Sequence, residues 1–77
     1  MGSEPMTLTR VESSMIYAVG YDRDAHSMDV VFLSGRIWRY FGVPQDVYDG
    51  LMAAGSKGSY MRNEIIGVYR EQRVGKG

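Results

Sequence analysis

"MDVVFLSGRIWRYF", Met28 to Phe41, sets two runs of β-branched and aromatic residues around Ser34-Gly35. Such runs read as strands, and the short break between them reads as a hairpin turn. How the turn closes decides which face of the sheet each side chain takes, because neighbouring strand residues point to opposite sides. A two-residue turn pairs Leu33 with Arg36 and sets Val31 opposite Trp38. Met28, Val30, Phe32, Ile37 and Phe41 then form a core face. Trp38 and Tyr40 stand on the other, open face with Asp29, Val31 and Arg36. A three-residue turn with Gly35 left-handed makes a bulge and shifts the register by one. Phe32 then pairs with Arg36, Val30 with Trp38 and Met28 with Tyr40, so both rings join the core. The first position of a type I′ turn demands a positive φ, which serine accepts less readily than asparagine. We therefore expect the bulged turn and inward rings. Outward rings would instead offer a stacking platform to unpaired bases.

Upstream, "SMIYAVGYD" reads as a first strand, ended by Gly20 and the polar turn "DRDAHS". Short connections imply an antiparallel meander. Downstream the apolar period changes. Pro44 suits the first position of a helix, and Asp46 suits the positive end of its dipole. Val47, Tyr48, Leu51, Met52 and Ala54 make a helical stripe that Gly55 ends. Gly50 weakens that helix by about 1 kcal/mol relative to alanine. Ser56 or Ser59 caps a second helix, with Met61, Ile65, Val68 and Tyr69 on one face. If it runs past Gly67, Arg62, Ile66, Arg70 and Arg73 form a second row. The expected fold is α+β: a three-stranded antiparallel meander followed by two helices packed on one sheet face (β-β-β-α-α). A single domain spans residues 11–70, with flexible tails at 1–10 and 71–77.

The chain has 77 residues, no cysteine and no formal net charge. Its size allows one domain, and the absent cysteines exclude disulfides and thiolate metal sites. Neutrality argues against a strongly basic nucleic-acid binder. The charge is unevenly spread. Met1 to Ser56 holds four basic and seven acidic residues (−3), and Lys57 to Gly77 holds five basic and two acidic (+3). The basic end points to an anionic partner or is simply solvated. The N-terminus has no secretory pattern and no apolar run spans a membrane, so a cytoplasmic protein without membrane contact is expected.

Catalysis needs a poised constellation, and none is legible. His26, the sole histidine, lies in the "DRDAHSMD" turn with Asp22, Asp24 and Asp29. These acids lack the glycine and terminal glutamate of a calcium loop. Ser13 and Ser14 have no histidine at a useful spacing. "GSKGS", Gly55 to Ser59, has the residues to hold one phosphate at a helix start but is no Walker loop, and it reads first as a turn. We expect no enzyme, no metal and no cofactor.

Several pieces in order, "VESSMIYAVGYD", "MDVVFLSGRIWRYFGVPQDVYDGLMAAGSKGSY" and a later tyrosine, resemble the KTSC domain from about Val11 to Tyr69. That family occurs at the C-terminus of some lysyl-tRNA synthetases and as small stand-alone bacterial proteins. The resemblance implies a domain of unestablished function with RNA as a suggested partner. Trp38 replaces the first tyrosine of the family's Tyr-x-Tyr element. Met61-Arg62 stands where relatives tend to have phenylalanine-asparagine, and Ile65-Ile66 where they tend to have isoleucine-arginine, which removes one cation. On this reading Lys57, Arg62, Arg70, Arg73 and Arg39 contact phosphate with Tyr60 at the edge, and Trp38 and Tyr40 join if they face outward. The alternative is a protein-interaction or self-association module. It rests on six methionines and on a second apolar sheet face of Val31, Leu33, Ile37 and Phe41 that needs a cover, a second copy for instance.

Overall fold

The computed structural model describes residues 8–76. The strands are β1 Thr9–Arg10, β2 Ile16–Asp22, β3 Ser27–Phe32, β4 Arg36–Phe41 and β5 Arg70–Lys76. They form one antiparallel sheet in sequence order. Between β4 and β5 come helix α1 Gln45–Ala53, the short helix α2 Lys57–Tyr60 and a π turn, Met61–Ile65.

The hairpin adopts the bulged register. The Gly35 N–H donates to the Phe32 carbonyl at 2.9 Å. Gly35 sits at φ +96°, a region closed to most side chains. Val30 pairs with Trp38 and Met28 with Tyr40, so both rings face the helices. The core beneath the helices is Ile16, Val19, Met28, Val30, Tyr40, Val43, Leu51, Met61 and Ile65.

The meander is not three-stranded, because the sheet has five strands. Both additional strands come from segments read as tails. Thr9 and Arg10 pair with Val19 and Ala18. The rest of the first tail, residues 1–7, lies outside the described residues. The second tail is β5, laid along β4 from Arg70 against Phe41 to Lys76 against Arg36. It was misread because an edge strand with an exposed side keeps polar residues, and "REQR" carries no apolar alternation. The helix does not run past Gly67, so the arginine row conditional on it does not form. Gly67 turns left-handed at φ +81°, the helical segment ends at Ile65, and Val68 is 59% exposed rather than packed.

Tyrosine side chains bind the helical layer to the sheet. The rings of Tyr21 and Tyr48 stack 4.8 Å apart, and the Tyr21 hydroxyl donates to the Val43 carbonyl at 2.6 Å. α1 begins one residue later than expected, with Pro44 at its N-cap, its carbonyl accepting from the Val47 and Tyr48 amides. Ser56 caps α2 through its hydroxyl, which accepts from the Ser59 amide. The chain then widens into the π turn, where the Ile66 amide donates to the Met61 carbonyl at 2.7 Å. Such turns trade regular helix bonding for a changed side-chain direction and are frequent at functional sites.

Candidate functional site

The helices cover only part of the inner sheet face. At the hairpin end, between β3–β4 and the exit of the π turn, a groove of about 480 Å³ remains. Its apolar wall is Met15, Phe32, Leu33, Trp38 and Ile66, and its polar groups come from Ser14, Ser34, Arg36, Tyr40 and Glu71. The bulged register aims Trp38 and Tyr40 into this space from adjacent inward positions of β4. Trp38 is half-buried, with one side packed on the core, while Tyr40 is 2% exposed and lies lower. The rings are therefore core and groove lining together. Ile66 reaches the groove because the π turn releases it just after Ile65 has been buried.

Hydroxyl partners separate Tyr40 from Tyr21 and Tyr60. Tyr21 donates to the Val43 carbonyl and Tyr60 to the Val47 carbonyl, so both are structural. Among the described residues, no hydrogen bond ends on the Tyr40 hydroxyl, and it is not sealed from the groove. Its pKa is pushed up to about 12, first by burial and then by the Glu71 carboxylate. Tyr40 therefore offers a proton at neutral pH. Glu71 is its cross-strand partner on β5, and Arg73 is the cross-strand partner of Trp38, so both stand on the groove side of the sheet.

The structure divides the sequence-predicted contact residues into three groups. Arg62 and Arg73 adjoin groove-lining residues without lining the groove themselves. The Arg62 guanidinium lies 3.8 Å from the Met15 sulfur, and Arg73 stands beside Trp38. Lys57 and Tyr60 belong to the helical hairpin. The Lys57 ammonium donates to the carbonyls of Met52 and Ala54 at 3.0 Å each, closing the C-terminus of α1. Tyr60 lies against Gly50. Arg39 and Arg70 are on β4 and β5 at positions that face away from the groove. There Arg39 forms a two-bond ion pair with Asp29, at 2.7 and 3.0 Å. That hydrogen bond and the Asp29 charge raise the Arg39 pKa.

Arg36, Glu71, Met15, Ser14 and Ser34 were missed as site residues. Arg36 and Ser34 adjoin the hairpin turn and were legible once its register was assigned. Glu71 and Met15 reach the groove only through β5 and through the segment entering β2, for which the sequence carries no local signal. His26 is exposed in its turn at φ +54°, its carbonyl accepting from the Val43 amide. No group of three or more metal-ligating side chains occurs among the described residues. No helix is long and apolar enough to cross a membrane.

The family model of the KTSC domain matches residues 12–69. The chain belongs to the KTSC domain family. The crystal structure of a KTSC domain protein from Yersinia pestis superposes with a TM-score of 0.89 at 31% identity, covering 92% of this chain and all of that one. A protein of Tsukamurella paurometabola is 41% identical over 60 residues, 78% of this chain and 90% of its own length. A lysine–tRNA ligase of Nostoc sp. is 34% identical over 67 residues, 87% of this chain. The matched stretch spans only 12% of that ligase. The family thus includes free-standing small proteins and a portion of a much larger tRNA enzyme.

Proposed function

We propose that this KTSC domain is a non-catalytic RNA-binding module that takes one unpaired base into the Trp38–Tyr40 groove. The observation that carries this reading is an aromatic groove with an unpartnered phenol at its base, Arg36 in its lining, and Arg62 and Arg73 beside the lining residues Met15 and Trp38. Arg36, Arg62 and Arg73 supply phosphate contacts, and the indole of Trp38 supplies the stacking surface. The relationship to lysine–tRNA ligases supports RNA as the partner, and the cytoplasm as the place where it is met. Arg36 in the lining, with Arg62 and Arg73 on adjoining elements, stands against the single lining carboxylate of Glu71, and binding responds to local rather than net charge.

Titration with tRNA and short single-stranded RNA at low salt tests the reading. Trp38 fluorescence should be quenched. Amide shifts should cluster at residues 32–40, 62–66 and 71–73. Three phosphate contacts on a single strand give a log affinity against log salt slope of about −2. Shifts confined to other surfaces, or none at high protein concentration, would refute it.

The face away from the groove favours a second reading, self-association. Val31, Ile37 and Phe41 are half-buried there, and the bulges of β2 and β5 leave Tyr17 and Val74 43% and 40% exposed. Leu33, expected on that face, lines the groove rim instead. Sedimentation at rising concentration separates a dimer, lost on Ile37→Asp, from a monomer.

A further inference from the structure

The groove's polar groups form a pattern that the RNA reading alone does not use. Tyr40 presents a hydroxyl that donates. Beside it across the β4–β5 ladder, Glu71 presents a carboxylate that only accepts. The order along this edge is one donor followed by two acceptors. Trp38 stands two residues from Tyr40 on the same strand face, about 7 Å away, so a base stacked on the indole is within reach of these groups.

Base edges differ in how they answer. Guanine presents an acceptor, O6, followed by two donors, N1–H and the N2 amino group. It meets all three positions: the Tyr40 hydroxyl donates to O6, and the Glu71 carboxylate accepts from N1 and N2. Adenine sets a single amino group beside an acceptor. Cytosine presents two acceptors and one donor. Uracil holds one donor between two acceptors. Each of these three leaves a carboxylate oxygen unpaired or facing another acceptor in a partly apolar groove, which is costly. We infer that the groove selects guanine, through Glu71 and Tyr40, with Trp38 as the stacking surface. The inference rests on the RNA reading for its ligand and adds the identity of the base.

The same edge belongs to a guanine in an RNA strand and to a free guanine nucleotide. Phosphates on both sides of the base distinguish them, because Arg36 and Arg73 come from different strands and Arg62 from the π turn. A base flanked by nucleotides engages more of these charges than a mononucleotide does. The guanine of a single-stranded RNA is therefore the expected occupant.

The experiment uses U-rich RNA pentamers with a central guanine, inosine, adenine or cytosine, and GMP alone, followed by Trp38 fluorescence and by chemical shift. A bidentate base contact is worth about a tenfold to hundredfold preference. The guanine pentamer should lead by that factor. Inosine, which lacks the N2 amino group, should fall between guanine and adenine. Glu71→Gln, at an exposed position of the edge strand, should remove the guanine preference and bring the four pentamers to similar affinities. Equal binding of all pentamers, or a guanine preference that survives Glu71→Gln, would overturn the inference and leave the RNA reading standing. GMP binding as tightly as the guanine pentamer would keep the base selection and overturn the RNA reading. No binding of any pentamer or of GMP would overturn both.

Discussion

The Tyr60 ring lies where a Cβ on Gly50 would stand, and the Tyr60 hydroxyl donates to the Val47 carbonyl one turn earlier in α1. A glycine in mid-helix costs about 1 kcal/mol of propensity, so its presence in the α1 stripe looks unfavourable in sequence. The structure explains it. The glycine opens the gap in which α2 seats Tyr60 against α1.

Gly50→Ala should therefore destabilise by about 1–3 kcal/mol, the range for an overpacked contact, although propensity alone predicts a gain. In a Tyr60→Ala background the obstacle is gone, and the same change should be neutral or stabilising by up to about 1 kcal/mol. Urea denaturation of the four proteins closes the cycle. A stabilised Gly50→Ala single variant would rule out the packing explanation.

Lys57 offers a direct separation of structure from binding. Its ammonium is held between the Met52 and Ala54 carbonyls. Hydrogen bonds to a charged group contribute about 1.5–3 kcal/mol, so Lys57→Met should lower stability by about that amount. RNA affinity, measured well below the melting temperature, should stay within about twofold of the wild type, because less than one phosphate contact is lost. A tenfold weaker complex with unchanged stability would move Lys57 back into the binding surface.

The fold was legible wherever side chains alternate by burial. β2, β3 and β4 each pair an apolar with a mixed face, and Ser34-Gly35 carries the turn chemistry that fixes their register. β5 was not legible, because its partners are on β4 and its own residues, Arg70 to Arg73, are polar on both sides. The end of the helical segment at Ile65 depended on Gly67, whose left-handed turn and continued helix read alike in sequence. The groove inherits both outcomes. Trp38, Tyr40 and Arg36 follow from the hairpin, whereas Glu71 and Arg73 needed β5, and Met15 needed the long-range hydrogen bond from the Leu33 amide to its carbonyl. Of the predicted contact set, Arg62 adjoins Met15 from the π turn and Arg73 adjoins Trp38 from β5, on separate elements and not in one helical row.

The ion pair on the opposite face should respond asymmetrically to its two truncations. The Asp29 side chain is 12% exposed, while the Arg39 side chain is 41% exposed. Arg39→Ala strands a carboxylate away from water and should cost about 1–3 kcal/mol. Asp29→Ala frees a guanidinium that can swing into solvent and should cost less, about 1 kcal/mol. Thermal unfolding of both variants and the double variant measures the difference. Equal losses would mean that Asp29 is better hydrated than its burial indicates.

Tyr40 gives the domain a signature in alkaline solution. Its phenol is raised from the ordinary value near 10 to about 12, by burial first and the Glu71 charge second. The sign follows from which state holds the proton more tightly. Below pH 10 the phenol is protonated in both folded and unfolded chains, and its contribution is fully present. Between about pH 10 and 12 the unfolded chain loses the proton while the folded one keeps it, so stability falls. Each unit of difference is about 1.4 kcal/mol, which sets the loss at about 3 kcal/mol across that window. Burial also raises the pKa of Tyr21 and Tyr60, so part of the alkaline decline belongs to them. Tyr40→Phe isolates the share of the groove residue: the variant should lose less stability between pH 10 and 12 than the wild type. Denaturant midpoints measured across that window, with phenolate absorbance of the folded protein, test it. Identical declines in the two proteins would show that the Tyr40 hydroxyl is open to water rather than set in the base of the groove.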